Sequence, residues 1–388
     1  MQQQSSMDGR PCRFEQGPIR PPSEAGSLLL RVTRNCPWNR CIFCPLYKGQ
    51  SFSVRSATEV MADIDAVAWQ LRVLQRREEA QGPLSRSSLR DWHEQLPVEE
   101  RAAFRAAVHW RDHGQNSVFL QDADALAAGA DELLPILAHL YRIFPQIKRV
   151  TCYSRSATVV RYASAELAAL GRAGLNRLHM GLESGSDEVL RAVRKGADQA
   201  LHIRAGQMVR AAGIELSLYV MPGLGGRELS AEHARQTAAA LNCINPHFIR
   251  LRTLAVPPGT PLEEEKLAGR FVPCSSLEIV KELLRLIEAL EGISSYVASD
   301  HALNLFEDLQ GKLPDDKEQM VGMLRSFLTL DSKQRTLYLL GRRAGIFRGL
   351  SDLEDAASLE EVELLQQQLG VTPDNVEEIC AELMKRYI

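Results

Sequence analysis

The chain has no apolar run that approaches the roughly 18 to 20 residues of a membrane-spanning helix. It also has no long basic block: the formal net charge is -3, without the electrostatic footprint expected of a duplex-binding protein. Its first 26 residues, MQQQSSMDGRPCRFEQGPIRPPSEAG, lack the charged head and apolar body of a signal peptide and are expected to form a mobile leader. A cytoplasmic protein follows as the expectation, and a reducing compartment argues against structural disulfides. Cysteine is sparse outside one loop. Of the eight cysteines, Cys12, Cys152, Cys243, Cys274 and Cys380 are scattered, with no second pair at ligand spacing. What is not missing is core-forming material. With 45% hydrophobic and 24% charged residues, the chain has ordinary globular composition rather than that of disorder.

The remaining three cysteines, Cys36, Cys41 and Cys44, lie in RVTRNCPWNRCIFCPLYKG, residues 31–49. Three is an odd number for a disulfide framework and one short of a closed zinc site, and no further Cys or His follows within the loop. A two-residue gap lets two thiolates converge on one centre, and the four-residue arm brings the third around. Zinc with an open position is one fit. A cubic iron-sulfur cluster fits better, because three irons take cysteine and the fourth stays open to a ligand that is also a reactant.

Around this loop the pattern alternates. SLLLRVT (27–33) reads as a buried strand. A helix is expected to start after it at Ser56 with Glu59 as a capping box, and to continue through Val60, Ile64, Val67, Leu71 and Leu74. QGPLSRSS from Gln81 breaks that pattern before a second helix from about Val98 to His113. The segment from Leu71 to His113, with Trp92, His93, Trp110 and His113, reads as a lid, a partner surface or a helical hairpin with tryptophans in its core. Further strands are expected at SVFLQ (117–121), RVTCYS (from Arg149), RLHMGLE (from Arg177), IELSLYVM (from Ile214) and HFIRLRTL (from His247), with ISSYVAS (from Ile293) as a seventh candidate. Such βαβ units predict a parallel sheet closing into a partial (β/α)6 TIM-like barrel, with chemistry at the carboxyl ends of the strands. The core is expected over residues 27–299 with a helical insertion at about 75–113. Residues 300–388 read as a helical C-terminal extension.

The cysteine loop resembles the cluster loop of the radical S-adenosylmethionine (SAM) superfamily, although the usual spacing there is three residues then two and this chain has four then two. The resemblance implies a [4Fe-4S] cluster on Cys36, Cys41 and Cys44 with SAM on the fourth iron, and places Phe43 near the adenine. It runs in order from about Ser27 to Leu254. In FLQDADAL (119–126), where the family has a turn whose backbone receives the SAM amino group, this chain has Gln121, Asp122, Ala123 and Asp124; the aspartates equally suit helix capping. HMGLESGSDEVLRAVRKG (179–196) is similar to the stretch found in the oxygen-independent coproporphyrinogen dehydrogenase and elongator-type branches, which implies SAM contacts for Glu183 and Lys195. MPGLGGRE (221–228) is similar to the glycine-containing turn beside the adenine, with Ser217 and Tyr219 as candidates for the ribose hydroxyls.

A radical SAM enzyme is therefore expected, cleaving SAM reductively to a 5′-deoxyadenosyl radical that abstracts hydrogen from a substrate the sequence does not name. A flavodoxin- or ferredoxin-like one-electron donor is the expected partner, and neither membrane nor nucleic acid is called for. RNA modification and a non-catalytic iron-sulfur or zinc scaffold are the rival readings. His301 is the candidate substrate ligand or acid/base group, on an expected helix face shared with Asn304. Arg250 and Arg252 share one face of the sixth strand and would meet an anion if they point inward. Arg342, Arg343 and Arg348 read as a solvated basic helix end.

Overall fold

The computed structural model describes residues 14–385. The chain forms two compact units, one comprising Met1–Pro37, Gly49–His179 and Met208–Glu215, the other Trp38–Lys48, Met180–Gln207 and Leu216–Ile388.

In the first unit, β1 (Leu28–Arg31) pairs in parallel with β2 (Ser117–Gln121), Leu28 opposite Val118 and Arg31 opposite Gln121. Next to β2 lies β3 (Arg149–Ser154), again parallel, and β4 (Leu175–Glu183) follows in the sheet order. Leu28, Leu30, Val118, Phe119, Leu120, Val150 and Cys152 are all essentially buried. Near-continuous apolar runs of this kind are what parallel strands covered on both faces require. Just beyond β1, Thr33–Arg34 forms a short antiparallel ribbon with Ser53–Val54, which closes the base of the cysteine loop.

Helix α1 (Ala57–Gln81) begins as expected: the Ser56 side chain accepts from Glu59 N, and the Glu59 carboxylate accepts from Ser56 N at 2.9 Å. The stretch after it, read as a break, contains a helix of its own, α2 (Arg86–Gln95), because Ser85 Oγ accepts the Ser88 N–H at 3.1 Å and so caps it. After α3 (Val98–Asp112), Trp110 is fully buried, donates through Nε1 to Ser117 O at 2.8 Å and packs edge-on against Phe144.

Residues 1–13 of the expected leader, Cys12 included, lie outside the described residues. From Phe14 to Gly26 the chain is fastened down rather than mobile. Glu15 pairs with Arg31 at 3.0 Å and with Arg34 at 2.7 Å. Glu24, completely buried, accepts from Ser27 Oγ at 2.5 Å and pairs with Arg149 at 3.2 Å. The segment's carboxylates are among the handles that fix it.

In the second unit, β5 (Glu215–Val220) pairs in parallel with β6 (Phe248–Leu251), and β6 with β7 (Tyr296–Ala298). The seventh strand is thus present. An eighth, β8 (Gly311–Lys312), runs antiparallel to β7 inside the tail that was expected to be almost wholly helical. Helices Lys317–Thr329, Ser332–Ala344, Ala356–Leu369 and Val376–Met384 make up most of the remainder.

The β6 strand stops at Leu251, the fifth residue of the expected run, and Asn304 is the reason. Its Oδ1 accepts from Thr253 N at 2.9 Å, while its Nδ2 donates to Leu251 O at 2.8 Å and Ser299 Oγ at 3.1 Å. A side chain therefore takes over the pairing that a strand would have made. Residues 301–304 form a turn, not the expected helix, with Asn304 N donating to His301 O at 2.9 Å. Arg342 and Arg343, expected in solvent, are buried. Arg342 donates to Leu305 O and pairs with Glu307 at 2.9 Å, and Arg343 donates to Leu303 O at 2.9 Å. The 303–307 loop exposes its carbonyls inward, and the guanidinium forks satisfy them.

Asn304→Ala would leave the Thr253 N–H and Leu251 C=O buried without partners. A loss of about 1–3 kcal/mol in unfolding free energy is expected, measured by urea denaturation with an unchanged m-value.

Candidate cluster and cofactor site

Cys36, Cys41 and Cys44 all sit part-exposed on the loop after β1. Asn39, inside the four-residue gap, has a left-handed φ of 47° and donates through its side chain to Tyr47 O. Asn tolerates that conformation better than other non-glycine residues, so the extra residue in the gap is taken up as a tight bend. The Cys41-to-Cys44 segment is a turn closed by Cys44 N to Cys41 O at 3.4 Å. It is pinned on both sides: Ile42 N donates to Val193 O and Leu262 N donates to Ile42 O, each at 3.1 Å. The Ile42 side chain is buried with Val189, Val193, Met221, Leu224 and Leu262, and Phe43 packs against the same group. Lys48 Nζ donates to Cys41 O at 2.9 Å and Asn39 O at 3.0 Å, which sets a positive charge beside this half of the loop.

Three of the other cysteines are unsuited to ligation. Burial drives the Cys152 thiol far above its usual range, and burial also pushes Cys274 and Cys380 up to about 12; a metal ligand must be a thiolate. The donor chemistry of Cys36, Cys41 and Cys44, three part-exposed sulfurs in one loop, fits a cluster with one open iron. Among the described residues no group of three or more His, Cys, Asp or Glu side chains is drawn together as a ready metal cage, so the donor set, rather than a preformed cage, supports the fit.

At the end of β2, where a backbone contact to SAM is expected, the side chains hold other parts of the chain. Gln121 is fully buried and ties down the leader, accepting from Gly17 N at 2.8 Å and donating to Gly17 O at 3.1 Å and Ile19 O at 2.6 Å. Asp122 is held by Arg31 at 2.7 and 3.0 Å. Asp124 does not cap the following 3-10 turn; it accepts instead from Ser154 Oγ at 2.8 Å and Thr158 Oγ1 at 2.5 Å, and burial raises its pKa.

Glu183 and Lys195 are brought together, Nζ to Oε1 at 2.9 Å, with both side chains close to nine-tenths buried. Gly181 makes this possible, since a Cβ there would fall 2.1 Å from Glu183 Oε1 and 2.8 Å from Lys195 Nζ. Glu183 has a positive φ of 62°, and its carbonyl accepts from Met221 N at 2.9 Å, which joins the end of β4 to the glycine-containing turn.

A second group forms at the ends of β5, β6 and β7. Tyr219 stands opposite Arg250 in the register. Arg250, expected to meet an anion, finds it within the chain: it is buried, pairs with Asp300 and donates to Ser217 Oγ at 3.2 Å. Arg252 lies beyond the end of β6 and is exposed rather than buried. His301 is half-buried, and burial, then the Arg252 charge, pushes its pKa down to about 4 against the opposing pull of Asp300. Near neutral pH it is an uncharged imidazole. Nδ1 accepts the Leu303 N–H at 3.2 Å, which assigns the ring proton to Nε2.

Residues 30–237, more than half of the chain, match the family model of the radical SAM superfamily. The chain belongs to that superfamily. It is accordingly an enzyme of the class that uses a [4Fe-4S] cluster and SAM, as the loop resemblance implied. Curated protein sequences include no match. Among solved structures, similar chains include Elp3 from the archaeon Methanocaldococcus infernus, at 16% identity over 52% of this chain and 53% of that one with a TM-score of 0.40. Coproporphyrinogen III oxidase (HemN) from Escherichia coli, described as a radical SAM enzyme, matches at 14% identity over 68% and 52%, with a TM-score of 0.43. The cobalamin-dependent SAM radical enzyme OxsB matches at 13% identity over 93% and 59%, with a TM-score of 0.45. The chain thus spans about half the length of Elp3 and HemN, and its family assignment rests on the match over residues 30–237. No helix among the described residues is long and apolar enough to cross a membrane.

The depressed pKa of His301 has a signed consequence. The unfolded chain takes up this proton near the ordinary value of 6.5, but the fold resists it until about 4. Stability from this residue is full above pH 6.5 and declines as pH falls from 6.5 to 4. Thermal melts of His301→Gln are expected to show a shallower decline across that window than the native protein.

Proposed function

We propose that Cys36, Cys41 and Cys44 hold the cluster and that the enzyme cleaves SAM to begin hydrogen abstraction from its substrate. The observation that carries this reading is the set of three thiols on the loop after β1, within a domain matched to the superfamily. When bound, the cluster and SAM supply one-electron cleavage of the bond from sulfur to the ribose 5′ carbon, giving methionine and a 5′-deoxyadenosyl radical.

The residues of the chain position and shield that chemistry. Phe43, packed on the Ile42 group, offers an apolar ring beside the loop for the adenine. Lys195, already paired with Glu183, can turn its ammonium to the SAM carboxylate, and Glu183 is assigned to the methionyl part of SAM; charge-assisted contacts such as that of Lys195 are the strong ones. Ser217 and Tyr219 at β5 are assigned to the ribose hydroxyls, and the backbone at Gln121 and Asp122 to the SAM amino group. His301 and Arg252 are assigned to the substrate. A neutral imidazole with its proton on Nε2 donates a hydrogen bond and leaves the exposed guanidinium as the charged contact. We also assign the catalytic core to residues 27–299 and residues 300–388 to a C-terminal extension.

Anaerobic reconstitution with iron and sulfide, reduction with dithionite and addition of SAM test the reading. The native protein is expected to form 5′-deoxyadenosine, and the Cys36→Ala/Cys41→Ala/Cys44→Ala protein to form none above background. Retention of zinc with no iron-sulfur cluster would reverse the assignment in favour of a zinc scaffold.

A further inference from the structure

The chain is acidic overall, at a formal -3, yet the outer side of the cysteine loop is not. Arg40 and Lys48 are exposed on it, Arg191 is exposed in the last turn of helix Asp187–Ala192, and Arg194 is exposed on the turn that follows. Contacts make these one surface. Trp38 Nε1 donates to Arg194 O at 2.8 Å, and its ring lies so close to Gly196 that a Cβ there would sit 2.4 Å from it. The Arg40 guanidinium stands 5.1 Å over the same ring, a cation-π arrangement that holds the charge outward without a carboxylate. Lys48 spends its donors on the carbonyls of Asn39 and Cys41, so its charge too is not cancelled by an acid. Of the neighbouring acids, Glu265 pairs with Arg270 while also feeling the Arg194 charge, Asp187 accepts from Gln199 N and Asp198 from Leu201 N.

We propose that this face, Arg40, Lys48 and Arg194 arranged about Trp38, is the landing surface for an acidic one-electron donor protein. The inference rests on the cluster assignment above. Its position follows from Lys48, which links the charged face directly to the backbone of a cysteine assigned to the cluster. Transfer moves one electron from the donor's reduced cofactor to the cluster; the donor is oxidised by one electron, and no proton or leaving group is involved. A few like charges on a small face suit such an encounter. Electron-transfer complexes are weak, bury less than about 1,200 Å², and gain their rate from electrostatic steering. Tight RNA binding, by contrast, draws on more phosphate contacts, on the order of six to ten, and has a correspondingly steep salt dependence.

A flavodoxin of strongly negative net charge serves as the probe. Two quantities are read at low ionic strength: its dissociation constant by titration, and the rate at which its fully reduced form bleaches the cluster absorbance. For Arg40→Glu/Arg194→Glu, affinity and bleaching rate are each expected to fall at least tenfold and to lose most of their salt dependence, while bleaching by dithionite is unchanged. Arg40→Gln/Arg194→Gln, a milder change to the Trp38 packing, is expected to show an intermediate loss. Unchanged flavodoxin binding and rate in both variants would overturn the proposal, as would native protein with no salt-dependent binding. Loss of binding to a single-stranded RNA oligonucleotide without any change toward flavodoxin would overturn it in favour of nucleic acid. If the native protein assembles no cluster, the proposed function fails, and the flavodoxin titration still decides the docking face by itself.

Discussion

The backbone of Ile42 is the fixed point of the candidate site. Its N–H and C=O are both taken by neighbouring segments, at Val193 and Leu262, and its side chain is buried in an apolar group. The three cysteines of the loop stay part-exposed, so the residues beside them hold it to the rest of the chain. One residue between Cys41 and Cys44 anchored in this way leaves the thiols at the surface while the chain between them is held. Phe43, Asn39 and Lys48 act around that anchor: one packs on its core, one makes the bend and one bonds the Cys41 carbonyl.

The same economy recurs at the strand ends. Polar side chains there mainly hold other pieces of chain. Gln121 holds residues 17–19, Asp122 holds Arg31, and Asn304 ends β6. Asp300 answers the buried charge of Arg250. Buried polar groups of this kind contribute little net stability when satisfied and cost a great deal when orphaned, so they restrict local geometry more than they stabilise it. The Glu183 and Lys195 pair differs in that both of its partners are charged and nearly buried.

Much of this was legible in the sequence. Buried parallel strands show as apolar runs, and β2 and β3 were found with the bounds they have; the capping box at Ser56 marked α1. The cysteine spacing identified the loop because metal ligation places strict demands on residue type over a short distance. Less legible were features decided by partners remote in sequence. Nothing local in HFIRLRTL says that Asn304 will end the strand after Leu251, and nothing in GRRAGIFRG says that its arginines will be buried against the carbonyls of residues 303–307. Helix α2 was hidden because Ser85 reads equally as a turn residue and as a cap. The roles of Trp38 and Lys48 had a weak signal, an aromatic and a basic residue inside or beside a metal loop, which only the contacts to Arg194 and Cys41 make specific.

The central claim is that three cysteines leave one iron of the cluster open to SAM. Electron paramagnetic resonance of the dithionite-reduced, reconstituted protein tests it most directly. A four-iron signal whose g-values shift when SAM is added, and which is lost in the Cys36→Ala/Cys41→Ala/Cys44→Ala protein, is the predicted result. A four-iron signal indifferent to saturating SAM would contradict the claim, because it would mean that the fourth iron is closed.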